Sequence, residues 1–175
     1  MVKLIAKSPA AGLLPLEGDG VTVEEAPFEE LTSIAPWGDG LSKALKDAHG
    51  MALPKPGRST GKAGARCLWF GSSHFMLAGP EPDAALNAYA ALTLQTDAWC
   101  RVVLTGPRVA EMLAYLTPVD LREDAFKRGD VARAQIGHMN ACIMRTGAKA
   151  YELMVFRSMA QTLVHELKEA INALP

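Results

Sequence analysis

Reactive side chains are few in this sequence, and none falls into the spacing of a known catalytic motif. The residues considered are His49, His74, His138, His165, Ser72, Ser73 and Ser158. No two histidines stand at the i, i+4 spacing of a zinc protease helix, and no serine lies in a hydrolase nucleophile elbow. Structural roles are the better prediction, with Ser158 as a helix N-cap and His49 near a helix end. Only His74 and His138, near strand starts, could face a groove.

Three cysteines, Cys67, Cys100 and Cys142, stand far apart along the chain. An odd number at wide spacing argues against a disulfide framework and for a reducing compartment. None belongs to a Cys-x-x-Cys or Cys/His pattern, so no metal ligand is predicted. Cys142 lies in an apolar strand, where a cysteine is usually an inert packing residue.

The string GRSTGKA (57–63) has part of the pattern of a phosphate-binding loop. That loop needs four residues between its glycines and a hydroxyl residue after the lysine. Here three residues intervene and Ala63 follows Lys62, so we predict a flexible basic loop. A dinucleotide fingerprint is also lacking.

The three tryptophans, Trp37, Trp69 and Trp99, each begin or end an apolar strand. Core packing is the expected role of all three. A tryptophan that proved to be exposed beside other apolar groups would instead be a candidate anchor for a partner.

Composition and charge argue against a nucleic-acid-binding protein and against a membrane protein. The net charge of -1 gives no field that would attract nucleic acid or an anionic membrane. Pro9 and Pro15 interrupt the apolar N-terminal residues, and no apolar run approaches the ~20 residues of a membrane span. The prediction is a cytoplasmic globular protein with no nucleic-acid or membrane partner.

The element pattern predicts an irregular lead-in over 1–20 and a single domain over 21–175. Helical periodicity predicts helices over 41–50, from Pro82 through about Leu92, over 109–116 and over 159–174. Met159, Leu163, Leu167 and Ile171 are expected on the inner face of the last of these. Residues 52–64 are predicted to form a loop. Strands are expected from Val21, over 31–37, 65–71, 74–80 and 99–104, and around residues 134, 143 and 154.

Strands and helices alternate irregularly, and several consecutive strands are joined directly. This pattern favours an α+β fold, with a mixed, mostly antiparallel sheet and helices packed on it, over a doubly wound parallel sheet.

Several ordered motifs resemble a known family. They are SPAAGLLP (8–15), CLWFGSSHFMLAGP (67–80), TDAWCRVVLTGPRVAEMLAYLTPVDL (96–121), FKRGDVARAQIGHMNACIMRTG (126–147) and YELMVFRSMAQTLVHEL (151–167). Their order and spacing resemble the gamma subunit of heterotetrameric sarcosine oxidase over most of the chain. That family is similar in turn to the folate-binding domain of the glycine-cleavage aminomethyltransferase.

The resemblance implies a subunit with no catalytic, cofactor-binding or metal residues of its own. The family's enzyme oxidises sarcosine to glycine and passes the one-carbon unit to tetrahydrofolate. FAD, FMN, NAD and tetrahydrofolate are implied for the whole complex, on its larger subunits. The alpha subunit is the expected direct partner, and the beta and delta subunits complete the complex.

One departure bears on the folate site. In the aminomethyltransferase, a glutamate that follows the Arg-Thr-Gly strand helps to hold the pterin. Here Arg145, Thr146 and Gly147 lead through Lys149 to Tyr151 and Glu152. A lysine cannot accept the hydrogen bonds of pterin N–H groups, so the fold is expected to carry over without the folate site.

Three alternatives stay open. The chain could be the small subunit of an N-methylglutamate dehydrogenase, which shares the architecture. It could be a stand-alone tetrahydrofolate-binding protein, which predicts a pocket with Asp97, Asp120 or Glu152 aimed inward. It could also be an interaction module for an unrelated partner. The segment 53–64 is the expected part to be ordered by a partner.

Overall fold

The computed structural model describes residues 4–175, which form eleven strands and three α-helices. The strands are β1 Leu16–Gly18, β2 Val21–Glu25, β3 Glu30–Pro36, β4 Ser59–Lys62, β5 Ala65–Gly71, β6 His74–Gly79, β7 Ala90–Leu94, β8 Trp99–Thr105, β9 Val131–Ile136, β10 Met139–Gly147 and β11 Ala150–Phe156. The helices are α1 Leu41–His49, α2 Val109–Leu113 and α3 Ala160–Asn172. Within residues 4–175, every helix is too short or too polar to span a bilayer.

The strands form two sheets. The first has six strands in the order β1-β2-β8-β11-β10-β9, and the second has five in the order β4-β5-β6-β3-β7. All of the neighbouring strands pair antiparallel. The prediction of an α+β fold with mostly antiparallel strands is therefore confirmed.

Alternation along the strands separates two faces of the six-stranded sheet. In β8, Cys100, Val102 and Leu104 are fully buried on the face that packs against the helices. Residues at the intervening positions, Arg101 and Val103, point to the opposite face because side chains in a strand alternate. That opposite face looks toward the five-stranded sheet.

Three apolar clusters define the layers. The largest lies between the six-stranded sheet and helices α2 and α3, and it includes Leu113, Leu153 and Leu167. A smaller one lies between the two sheets and includes Leu68 and Met154. The third covers the outer face of the five-stranded sheet under α1. The order of layers is helices, six-stranded sheet, five-stranded sheet, helix.

Helix α1 begins and ends close to the predicted bounds. It covers Leu41–His49, and Gly50 follows in the left-handed conformation with φ 67° and an N–H bonded to the Lys46 carbonyl. A glycine at this position closes the helix without the steric penalty that a Cβ would bring.

The helix predicted from Pro82 through about Leu92 is wrong. Residues Ala84–Ala88 form a 3₁₀ turn, which the Asp83 side chain caps by accepting from the Ala85 N–H at 2.8 Å. Strand β7 follows and pairs along β3. The alanine-rich sequence favours helix, but cross-strand hydrogen bonding overrides that weak preference.

The N-terminus of the final helix also differs from the prediction. Helix α3 begins at Ala160 after a 3₁₀ turn, and Ser158 makes no side-chain cap. Met159 is 41% exposed, so it does not share the inner face with Leu163, Leu167 and Ile171, which are buried.

Two segments predicted to be irregular contain strands. Residues 52–64 include β4, which pairs with β5 without any partner chain. The lead-in over 1–20 includes β1, which pairs with β2. The division of the chain into that lead-in and one domain stays a prediction.

Candidate functional site

A cavity of about 530 Å³ lies between the two sheets. The six-stranded sheet supplies Arg101, Val103, Met144 and Glu152 to its wall. The wall contributed by the five-stranded sheet comes from β4, β5 and β6, through Ser59, Gly61, Lys62, Arg66, Leu68 and Ala78. The cavity therefore adjoins the apolar cluster between the sheets, and charged side chains line much of its wall.

An ion-paired triad forms one side of the cavity. Arg101 donates to Glu152 Oε1 from Nε at 2.7 Å, and its Nη2 lies 2.7 Å from the same oxygen. The Nη2 also lies 2.8 Å from Glu29 Oε2. Arg101 pairs with Met154 and Glu152 with Val103 in the strand register, so the two side chains are diagonal neighbours on one face.

The triad is mostly withdrawn from solvent, since the Arg101 and Glu152 side chains are only 12% and 11% exposed. Burial acts most strongly on the pKa of Arg101 and lowers it, but Glu152 and then Glu29 together raise that pKa above its ordinary value. Arg101 is therefore held as a cation. Its Nη1 is buried and has no hydrogen-bond partner within residues 4–175.

Arg66 on β5 is the second arginine of the cavity. It is half-buried, and its Nη1 donates to the Met144 Sδ at 3.2 Å. A thioether is a weak acceptor, so it satisfies a guanidinium much less well than a carboxylate does.

Strand β4 and the segment before β9 form the rim. Arg58 is ion-paired with Asp130, and Ser59 donates to the Gly129 carbonyl at 3.1 Å. Lys62 and Arg128 also line the cavity, and both are exposed. The wall thus carries five basic residues against two acidic ones.

Gly61 in β4 lets the rim come close to its neighbours. It has φ 86°, and a Cβ there would approach the Ala65 carbonyl oxygen to 2.2 Å and Met51 Sδ to 2.6 Å. A larger residue would strain the backbone and displace the hairpin that carries Lys62 and Arg66.

The chemistry available in the cavity is binding rather than proton transfer. Arg101 already holds Glu29 and Glu152 in charge-assisted hydrogen bonds. Among residues 4–175, no group of three or more histidine, cysteine or carboxylate side chains could hold a metal ion. An excess of arginine and lysine around a bounded space is instead suited to holding an anion.

The histidines and serines from the sequence analysis are dispersed. His74, His138 and His165 are exposed in separate parts of the fold. Ser72 and Ser73 are exposed in the turn before His74, and Ser158 is exposed in the 3₁₀ turn before α3. His49 ends α1, and its Nε2 accepts the Asp83 N–H at 3.2 Å. That contact joins the helix to the 3₁₀ turn that follows β6, which is a structural role.

Each cysteine lies in a different apolar cluster and all three are buried. Burial raises the pKa of Cys67 and Cys142 to about 12 and that of Cys100 to about 11. The thiols stay protonated at neutral pH, so they are poor nucleophiles and metal ligands.

The tryptophans differ from one another. Trp99 is buried between Phe70, whose ring centre lies 5.1 Å away edge to face, and Phe156, which stacks on it at 4.8 Å. Trp69 packs half-buried against the cluster under α1. Trp37 is 63% exposed, so the expectation of core packing is wrong for that residue.

The three carboxylates considered for a pterin site separate as well. Asp97 is fully exposed and Asp120 is paired with Arg122 on the surface. Of these three, only Glu152 faces the cavity, and its carboxylate already accepts a hydrogen bond from Arg101.

Arg145 has a structural role. It is 3% exposed and donates to the carbonyls of Phe126, Gly147 and Ala148 at 2.7, 3.0 and 2.5 Å. Its guanidinium thus ties the β10–β11 turn to the segment before β9. Lys149 lies exposed in that turn and is not part of the cavity wall.

Glu152 was a candidate only under the folate-binding alternative, and its grouping with Arg66 and Arg101 was not predicted from the sequence. One signal was present, because Arg101 and Glu152 each interrupt an otherwise apolar strand. A charged residue at such a position needs a partner, and a facing pair of opposite sign is the simplest one.

Comparison with known proteins shows which families have a similar sequence or fold. The model of the GCVT N-terminal domain family matches residues 74–174. A solved structure of heterotetrameric sarcosine oxidase from Corynebacterium sp. U-96, in complex with pyrrole 2-carboxylate, contains a similar chain. The two chains are 25% identical with a TM-score of 0.83, and the match covers 95% of each.

A second structure shows the same fold. Glycine cleavage system aminomethyltransferase T from Bartonella henselae is 16% identical with a TM-score of 0.59, over 85% of this chain and 45% of that one. A search of curated protein sequences gives no match. The expected likeness to a sarcosine oxidase chain and to the aminomethyltransferase is therefore confirmed.

Proposed function

Because this chain belongs to the GCVT N-terminal domain family, we propose that it is a non-catalytic gamma subunit of a heterotetrameric sarcosine oxidase. The observation that carries the proposal is the end-to-end structural likeness to a sarcosine oxidase chain. A likeness that covers nearly all of both chains fits a whole subunit, whereas the likeness to the aminomethyltransferase covers less than half of that longer chain.

In the proposed complex, sarcosine catabolism takes place on the larger subunits. Those subunits bind FAD, FMN, NAD and tetrahydrofolate, demethylate sarcosine oxidatively to glycine and pass on the one-carbon unit. This chain contacts the alpha subunit directly, and the beta and delta subunits complete the assembly. The complex is proposed to be cytoplasmic.

The side chains of this chain support a non-catalytic role. Its cavity carboxylates are held by Arg101, and burial keeps its thiols protonated. Several large apolar side chains are also exposed and available to a partner. They are Leu4, Ile5, Leu13, Phe28, Trp37, Leu94, Tyr115, Phe156 and Met159. Exposed aromatic residues such as Trp37 are frequent anchors of protein interfaces.

Affinity purification through a tag on this chain, from its native host, tests the proposal. We expect three other chains to co-purify in equal amounts with it, together with bound flavin and sarcosine oxidation. A tagged Trp37→Ala variant probes one exposed aromatic residue, and tagged His165→Ala, on the polar side of α3, is the matched surface control. The proposal is wrong if the chain elutes alone or with chains that carry no flavin. Turnover of N-methylglutamate instead of sarcosine would assign the complex to the alternative dehydrogenase.

A tetrahydrofolate-binding role is a second candidate, because the cavity exists and Glu152 faces it. Calorimetric titration of the isolated chain with tetrahydrofolate separates the two. Under the main proposal we expect no binding of tetrahydrofolate, because the Glu152 carboxylate that a pterin would need is already hydrogen-bonded to Arg101. Saturable binding that Glu152→Gln abolishes would favour the second candidate.

A further inference from the structure

The cavity between the sheets holds more positive charge than its own carboxylates neutralise. Its five basic residues exceed its two acidic ones by three. Asp130, just outside the wall, neutralises Arg58. The chain as a whole has a net charge of -1, so the excess is a local property of this space.

Three of the cavity cations have no carboxylate partner within residues 4–175. They are Lys62, Arg66 and Arg128, whereas Arg58 and Arg101 are ion-paired. Arg66 is the innermost of the three, since it is half-buried while Lys62 and Arg128 are exposed. Placing like charges together in a partly enclosed space costs free energy, which a bound anion would relieve.

The surroundings of Arg66 explain why it is available to a ligand. Within residues 4–175, the one hydrogen bond of its Nη1 goes to the Met144 sulfur. Leu68 and Ala78 form the apolar floor beside it. A guanidinium against an apolar floor presents a planar set of N–H donors that match two oxygens of a carboxylate or phosphate.

The size of the space limits the ligand. A volume of about 530 Å³ falls within the range of roughly 300–1,000 Å³ that is usual for small-molecule sites. Walls from both sheets leave room for a small organic molecule and a few waters.

We propose that the cavity between the two sheets binds a small organic anion, whose carboxylate or phosphate group is held by Arg66 and attracted by Lys62 and Arg128 at the mouth. Arg101, Glu29 and Glu152 form the rigid wall against which the rest of the ligand lies. This inference does not depend on the proposed subunit role.

The test is calorimetric titration of the purified chain with citrate, with inorganic phosphate and with uncharged glycerol. We expect one saturable site per chain for at least one of the two anions and none for glycerol. Citrate without phosphate identifies a carboxylate ligand, and phosphate without citrate identifies a phosphate ligand. The melting temperature should rise with the same anion, because only the folded state binds it.

The decisive variant is Arg66→Gln, which should weaken binding about ten- to a hundredfold, the usual effect of removing a charge-assisted hydrogen bond. The matched control is Arg122→Gln, since Arg122 is an exposed arginine paired with Asp120 outside the cavity. That control should bind as the wild type does.

Lys62→Gln provides a second test that does not disturb packing, because this side chain is exposed on the edge strand β4. It should weaken binding by about threefold through the loss of one nearby charge. The inference is overturned if neither anion binds saturably. It is also overturned if Arg66→Gln binds normally, or if Arg122→Gln weakens binding as much as Arg66→Gln does.

Discussion

The two faces of the six-stranded sheet use the same strands for opposite purposes. The helix-side face is lined by apolar side chains such as Val102, Leu104 and Leu153, all fully buried. The inter-sheet face carries Arg101 and Glu152 at neighbouring positions of the same two strands and borders a cavity. One face is filled with hydrocarbon, and the other combines a smaller apolar cluster with open space and charge.

That difference separates stability from binding. Burial of apolar surface contributes roughly 25 cal/mol per Å², so the helix side supplies most of the driving force for folding. A buried ion pair contributes little net free energy, because the desolvation of both charges offsets their attraction. The charged positions of the inter-sheet face therefore add little to folding, which agrees with the binding role that we propose for them.

The largest effect is expected on the helix side. Leu153→Ala should lower the free energy of unfolding by about 2–5 kcal/mol, because it removes buried contacts and leaves a void. Denaturant titration measures this. The matched control Leu94→Ala, at an exposed position of β7, should stay within about 0.5 kcal/mol of wild type. Equal losses in both variants would contradict the contrast between a packed core and an open surface.

The triad should give the next largest effect. Glu152→Gln should destabilise the chain by about 3 kcal/mol, at the lower end for a broken buried pair, since Glu29 still faces Arg101. Chemical denaturation provides the number. The control Asp120→Asn removes a surface partner of Arg122 instead.

Thiol labelling of the same variant locates the damage. Cys142 belongs to the inter-sheet cluster and Cys100 to the helix-side cluster. In Glu152→Gln, Cys142 should become reactive before Cys100 does, because the loss loosens only the space between the sheets. Faster labelling of Cys100 would show that the two faces are not energetically distinct.

Alkaline pH should give a smaller effect. Burial raises the pKa of Cys142 from about 9 to about 12, so the folded state favours the protonated thiol. This contribution is fully present below pH 9 and is lost as the pH rises toward 12. When the pH is raised from about 8 to about 10.5, the free energy of unfolding should fall in both proteins. The fall should be about 1–2 kcal/mol smaller in Cys142→Ala than in wild type. Identical pH slopes for the two proteins would show that this thiol titrates normally.

The smallest effect is expected for the surface pair of Asp120 and Arg122. The hydrogen bonds and charge of Arg122 lower the pKa of Asp120 to about 2. Any contribution of this shift is fully present above the ordinary pKa of an aspartate and is lost progressively as the pH falls from there through 2. Because the pair is exposed and screened by salt, Asp120→Asn should leave the denaturation midpoint at neutral pH unchanged. A clear shift of the midpoint would contradict this account, because the surface pair would then contribute to stability as the buried triad does.

The sequence predicted the strands best where a nearly continuous apolar run extends over six or more positions, as in β8 and β11. It failed at β7, because Ala90–Leu94 is a short run of good helix formers whose state is decided by pairing with β3. Local preference carries too little free energy to outweigh a full set of cross-strand hydrogen bonds.

The cavity could not be predicted, because it depends on how two sheets face each other. Arg66 lies on one sheet, and Arg101 and Glu152 on the other, so no spacing along the chain brings them together. What the sequence did contain was a lone charge within each of two apolar strands. Those two charges become neighbours only through the register of β8 and β11.

The most direct test of the central claim is sarcosine turnover by the purified chain, measured beside the complex isolated through it. We expect the chain alone to show no sarcosine oxidation and no bound flavin. The complex is expected to oxidise sarcosine and to contain bound flavin. Sarcosine oxidation by the isolated chain would contradict the account, because this chain would then be the catalyst and not a subunit that supports one.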